Sequence, residues 1–138
     1  MAAIPALWYF VPVASLVALL SAYLFFRSMI KMPEGTSRMR EIAQYVKEGA
    51  FAYLSRQYKT VSIVFALLFL VFVVLAILGI QNPFVPIAFL TGGFFSGLCG
   101  FLGMKTATSA SSRTAAGAQN SLNKGLVIAF RSGAVMGL

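Results

Sequence analysis

Three observations predict an all-α integral membrane fold, with three transmembrane helices and the start of a fourth. Of 138 residues, 59% are hydrophobic and only 10% charged, whereas soluble domains carry about 25% charged residues. Long uncharged runs recur at bilayer-spanning length. Every Lys and Arg lies in one of two blocks between or after those runs. The mean hydropathy of +0.87 agrees.

The chain is organised around residues 37–80, where a charged amphipathic pattern passes without a break into hydrocarbon. Met39, Ala43, Val46, Ala50, Tyr53 and Gln57 recur at spacings of three and four, which puts a stripe on one helix face, widened by Ile42 and Leu54. Residues 61–80 carry neither charge nor proline, and at ~1.5 Å per residue they reach roughly 30 Å, one bilayer core. One helix is predicted, half in water and half in lipid. Its start is marked by the breaker cluster Pro33-Glu34-Gly35-Thr36-Ser37, with Thr36 or Ser37 as N-cap. Gly49 inside the pattern predicts a close helix contact or a slight bend.

Before this helix, residues 1–26 are uncharged and bracketed by Trp8, Tyr9 and Tyr23, an interfacial aromatic arrangement. A cleaved signal peptide needs positive charge ahead of its apolar core, yet here Arg27 and Lys31 come after it. A first span over about residues 5–30 is therefore predicted, with Pro5 and Pro12 in or near its first turns. After residue 60 the uncharged block is too long for one crossing, and Gln81-Asn82-Pro83, followed by Pro86, supplies a turn. Spans over about 60–80 and 84–106 form a membrane hairpin. Gly93, Gly97 and Gly100 share a face continued by Ala107, the small-residue pattern by which helices approach in lipid. Cys99 in that segment is read as a small packing residue.

Arg27 to Lys59 lie between spans one and two, and Lys105 to Arg131 follow span three. The positive-inside rule puts the N-terminus outside and residues 31–59 and 105–124 in the cytoplasm, where the basic residues can also meet anionic lipid headgroups. A fourth apolar pattern starts at about residue 125, and the chain stops within it. Carbonyls cannot be left unpaired in lipid, so residues 1–138 are expected to be the N-terminal part of a single, larger polytopic domain.

Several chemistries are excluded. The net charge of +8 is spread thinly around apolar spans, unlike a nucleic-acid-binding patch. One cysteine and no histidine leave neither an internal disulfide nor a Cys/His zinc site. There is no aspartate, and Glu34, Glu41 and Glu48 are the only acids, too few for Mg²⁺-phosphate chemistry. Glu41 and Glu48 read as a solvated face, with Arg38 paired to Glu41. Gly100-Phe101-Leu102-Gly103-Met104-Lys105-Thr106 suggests a phosphate-binding loop, but it lacks glycine directly before the lysine and follows a membrane helix rather than a strand.

Three segments together resemble the membrane-bound, ion-translocating inorganic pyrophosphatases. They are Lys31-Met32-Pro33-Glu34-Gly35-Thr36-Ser37-Arg38-Met39 with Glu41-Ile42, then Gly100 to Thr108 with Arg113-Thr114, then Ala129-Phe130-Arg131-Ser132-Gly133-Ala134-Val135-Met136-Gly137. Ser111 departs from the family's frequent Asn and is expected to be a packing variation. The resemblance implies a homodimer in a prokaryotic cell (inner) membrane, each subunit an inner ring of helices enclosed by an outer ring. It implies Mg²⁺-pyrophosphate bound at the cytoplasmic face by aspartates and lysines outside these residues, hydrolysis coupled to H⁺ or Na⁺ pumping, and K⁺ dependence in some members. No catalytic, cofactor-binding or metal-ligating residue carries over, and these helices alone are expected to be inactive outer-ring elements. The alternative from another class is a non-catalytic membrane scaffold or assembly subunit of a transporter.

Overall fold

The computed structural model describes residues 6–138. One 3₁₀ turn, Ala6–Tyr9, leads into four helices: α1 Phe10–Ile30, α2 Ser37–Ile77, α3 Val85–Asn120 and α4 Leu122–Gly137. Helices α1, α2 and α3 are each long and apolar enough to cross a membrane. Pro12 sits in the first turn of α1, where its missing N–H is tolerated, and Pro5 lies outside the described residues.

Helices α2 and α3 overshoot any bilayer. With 41 and 36 residues, at ~1.5 Å per residue they reach roughly 60 and 54 Å, against about 30 Å of hydrocarbon. The charged half of α2 and residues 105–120 of α3 are thus continuous with their apolar halves. Thr106 and Thr108 do not break α3, because their hydroxyls donate back to the carbonyls of Leu102 and Met104 at 2.8 and 2.9 Å.

At the start of α2 Thr36 is the cap, its Oγ1 accepting from the Met39 N–H at 3.3 Å. The far end comes three residues before the expected 80. Gly79, at φ +71°, takes the left-handed conformation that closes a helix, with Ile80 N–H donating to Leu75 O at 3.0 Å and Gly79 N–H to Ala76 O at 3.2 Å. The Asn82 side chain then accepts from Phe84 N–H at 3.0 Å, and Gln81 Nε2 reaches back to Phe72 O at 2.8 Å. These bonds satisfy polar groups that the helix end and the turn leave without helical partners.

The α2–α3 hairpin is joined by aromatic rings set against small residues, rather than by backbones in contact. Phe65 stacks on Phe89 at 4.3 Å between centroids, Phe72 meets Phe89 edge-on at 4.9 Å, and Phe51 meets Phe101 at 5.8 Å. The Phe65 ring fills the place where a Cβ at residue 93 would stand, and the Tyr58 hydroxyl lies 2.9 Å from the corresponding place at residue 100. Tyr58 O–H donates to the Gly97 carbonyl at 2.5 Å, yet a Cβ at 97 would meet nothing. The glycine stripe therefore acts at Gly93 and Gly100. Cys99 is exposed and a Cβ at Gly49 would meet nothing among the described residues, so the packing read for Cys99 and the close contact that is one of two readings of Gly49 are not made within these helices.

Among the described residues helix α2 packs on α3 alone, while α3 also holds α4, and α4 holds α1. This leaves part of the predicted α2 stripe uncovered. Leu54 is buried, and Met39, Ala43 and Ala50 partly so, but Ile42, Val46 and Tyr53 are exposed. The apolar band is wider than one neighbouring helix can cover.

Between α3 and α4 the only non-helical residue is Ser121, in extended conformation, whose Oγ caps α4 by accepting from Lys124 N–H at 3.2 Å. Helix α4 thus starts at Leu122, ahead of the expected 125, and runs back along α3. A Cβ at Gly117 would lie 3.3 Å from Gly125 Cα, and one at Gly103 3.1 Å from the Met136 methyl. Here, not at Gly97, backbones come close. The small core at this end is Met29, fully buried, with Ala110 and Ile128, flanked by Phe26 and Met32.

Gly35 makes the turn into α2 with φ +84°, and a Cβ there would stand 2.9 Å from the Ala116 Cβ. Gly35→Ala suffers both a left-handed backbone and a steric overlap, and is expected to lose about 1–3 kcal/mol. A lowered thermal midpoint of the detergent-purified protein checks this. An unchanged midpoint contradicts the tight approach of the 31–36 turn to α3.

Candidate functional site

The polar end of the four helices is built around Arg113. Its α3 turn is lined by small residues, including Ser109, Ala110, Ser112, Ala116 and Gly117, so there is room for a long side chain to lie along the interface rather than leave it. Its guanidinium spreads over three acceptors: Nε donates to the Met32 carbonyl at 3.2 Å, Nη1 to the Ser109 carbonyl, and Nη2 to Glu34 Oε1 at 2.8 Å. The Arg113 side chain is 10% exposed and that of Glu34 44%. The pair is therefore buried at the cation and wet at the anion. A buried guanidinium is tolerable only when its donors are satisfied, and two of the three acceptors come from the loop between α1 and α2. Arg113 thereby fixes where that loop, and hence the start of α2, sits against α3.

A second arginine extends the clamp. Arg131 of α4 donates to Ser28 Oγ of α1 at 2.7 Å, one helical turn from the Ile128 and Met29 contact. All three sequence segments of the family resemblance meet at this end: residues 31–36 through Glu34, Met32 and Gly35, the 100–114 segment through Arg113, and the 129–137 segment through Arg131, while Met136 meets Gly103 ten residues back along α3. Ser111 is exposed and bonds only within its own helix, to the Thr108 carbonyl at 2.9 Å.

Two hollows flank Arg113. One, of about 320 Å³, opens between the α3–α4 corner and Met32 and is walled by Val127 and Ile128 with Lys124 and Arg131 at its rim. The other, of about 250 Å³, lies between the first turns of α2 and the C-terminal part of α3, around Thr108 to Arg113, and is polar, with Arg40, Lys47 and Glu34 on its walls.

The donor set does not suit a divalent metal. Among the described residues no three His, Cys, Asp or Glu side chains gather closely enough to hold one. The glutamates are separate: Glu34 is on Arg113, Glu41 pairs with Arg38 at 2.9 Å, and Glu48 accepts from Gln44 at 3.0 Å. The Gly100 to Thr106 stretch lies inside α3, so its N–H groups are spent in the helix and cannot cradle phosphate. The Arg38–Glu41 pair is as the spacing predicts. The Glu34–Arg113 pair is not readable from spacing, since 79 positions separate its partners. Its one sequence signal is a lone arginine inside a run of Ala, Ser, Thr and Gly.

Arg113→Lys keeps the charge but cannot fan three donors over acceptors lying in different directions. The variant is expected to lose about 1–3 kcal/mol of stability, read as a lower thermal midpoint in detergent. A midpoint equal to the parent's shows that charge alone suffices and the fork is immaterial.

Residues 16–138 match the family model described as inorganic H⁺ pyrophosphatase. The chain is 61% identical over 133 residues to a Bacteroides thetaiotaomicron protein provisionally named a K⁺-stimulated pyrophosphate-energized sodium pump, which covers 96% of this chain and 18% of that one. It is 45% identical over 128 residues to K⁺-insensitive pyrophosphate-energized proton pump 2 of Moorella thermoacetica, covering 93% and 18% respectively. To the K⁺-stimulated pyrophosphate-energized sodium pump of Thermotoga maritima it is 36% identical over 140 residues, again with 98% of this chain and 18% of the relative. No solved structure matches it significantly. The chain spans about a fifth of the length of these relatives (18%). With the motif segments converging on one clamp and the family model matched from residue 16 onward, this chain belongs to the inorganic H⁺ pyrophosphatase family.

Proposed function

We propose that this chain forms the first helices of a pyrophosphate-energised cation pump, which couples hydrolysis of inorganic pyrophosphate to H⁺ or Na⁺ transport across a prokaryotic cell membrane. The observation that carries this is the family match over residues 16–138, which includes the segments that the clamp joins. In this reading the helices belong to the outer ring. The clamp end faces the cytoplasm, since all eleven Lys and Arg lie on that side of the apolar runs. In the same reading the pump is a homodimer, and Mg²⁺ with pyrophosphate is held by residues beyond these 138, a reading that the family resemblance supports.

The chain's own contribution is positional. Helix α2 emerges from lipid as a rigid rod, and its uncovered residues Ile42, Val46 and Tyr53 offer an apolar face to further helices of the same protein. The relative at 61% identity is provisionally named a K⁺-stimulated sodium pump, which makes Na⁺ transport with K⁺ activation the reading to test; overall identity does not itself sort the ions, since a proton pump at 45% stands above the sodium pump of Thermotoga maritima at 36%. Full-length protein in sealed vesicles is expected to accumulate Na⁺ when pyrophosphate is added outside, with uptake persisting or rising when an uncoupler collapses the proton gradient. Uptake abolished by the uncoupler indicates a proton pump instead. Absence of any pyrophosphate hydrolysis overturns the proposal in favour of a non-catalytic membrane subunit.

A further inference from the structure

The polar hollow between α2 and α3 contains more positive charge than the chain itself neutralises. Arg40 and Lys47 are seven residues apart, two helical turns, and so share the α2 face that lines it; Arg113 closes the opposite wall from α3. Against these three cations stands one carboxylate, Glu34, which is already engaged by Arg113. Arg40 and Lys47 form no ion pair among the described residues. The other acids of α2 are turned to other partners, Glu41 to Arg38 and Glu48 to Gln44. Ser109 and Ser112 supply hydroxyl-bearing walls, Ser112 being buried at 7% exposure. Roughly 10 Å apart along α2, Arg40 and Lys47 both border this polar hollow and give it a positive potential that attracts anions.

We infer that this hollow is a binding site for a phosphate oxyanion. Its volume of about 250 Å³ is small, below the ~300–1,000 Å³ usual for larger organic ligands, which suits a single phosphate group rather than a nucleotide. The ligand chemistry is a tetrahedral oxyanion that accepts from a guanidinium, an ammonium and hydroxyls at once. Two sources present that chemistry here: free inorganic phosphate, and the headgroup of an anionic phospholipid, because the hollow lies on the part of α3 just beyond its apolar run. The inference uses only residues of this chain and stands whether or not the protein hydrolyses pyrophosphate.

The test compares full-length parent protein with Arg40→Gln/Lys47→Gln and with the charge-preserving Arg40→Lys/Lys47→Arg. Both positions are exposed, so an unchanged thermal midpoint is expected to verify folding, and Lys47→Gln alone supplies the comparison if the double variant is poorly made. In detergent free of anionic lipid, titration with inorganic phosphate is expected to reveal a binding component weakened roughly tenfold or more by the glutamines and kept by the charge-preserving pair. That result identifies free phosphate as the ligand. If no such component exists, but parent protein reconstituted in phosphatidylglycerol/phosphatidylcholine vesicles retains phosphatidylglycerol through delipidation while the glutamine variant loses it, the ligand is the lipid headgroup. Phosphate titration and lipid retention that are both indifferent to the glutamines overturn the inference.

Discussion

A guanidinium kept away from water has to find its acceptors inside the protein, and that requirement shapes the polar end of these helices. Arg113 is 10% exposed and reaches two acceptors in the six-residue connection between α1 and α2, Met32 O and Glu34 Oε1. The connection cannot drift without stranding a buried charge, which costs far more than an exposed ion pair such as Arg38–Glu41 contributes. Gly35 follows from the same constraint: with the turn drawn this close to Ala116, no Cβ fits between them. Further along α3 the approach of α4 is set by Gly117 and Gly125, and Arg131 ties α4 to α1 through Ser28. Contacts from all four helices therefore meet within a few turns of one arginine.

Away from that end the bonding is sparser and the chemistry changes. Helices α2 and α3 meet through Phe65, Phe89 and Phe72 and through one hydroxyl, Tyr58, on the Gly97 carbonyl. In lipid there is no hydrophobic gain from joining two apolar helices, so shape fit and a few hydrogen bonds decide the contact. The wide exposed faces of α1 and α2 are what a membrane chain offers to lipid and to further helices. The unbroken 41 residues of α2 carry a single helix from the charged segment into the apolar run without a joint.

Much of this architecture was legible in the sequence. Uncharged runs gave the three long helices, Pro33 to Ser37 gave the start of α2, and Asn82-Pro83 gave the hairpin, because each is a local matter of hydration or backbone geometry. The α2 boundary was misplaced by three residues because Gly79 was read as part of the apolar run rather than as a helix-ending glycine. The face of α3 that binds α2 was right at Gly93 and Gly100, but what enters is an aromatic ring, a property of the partner helix that no small-residue spacing contains. Cys99, expected to pack, is exposed, and the close contact that is one of two readings of Gly49 is not made among the described residues. The clamp itself was not visible, since Glu34 and Arg113 come together only through the tertiary path of α2 and α3. Glu34 is grouped by spacing with Glu41 and Glu48, yet it precedes the helix and points to a different element.

The central claim is that Glu34 and Arg113 act as one unit. A double-mutant cycle measures it directly, using thermal denaturation of detergent-purified protein for the parent, Glu34→Gln, Arg113→Met and the combined variant. The account predicts strong coupling: with the buried guanidinium removed, the further loss of the Glu34 charge has almost no effect on the midpoint. Two losses that simply add show that the pair does not interact, and contradict the clamp.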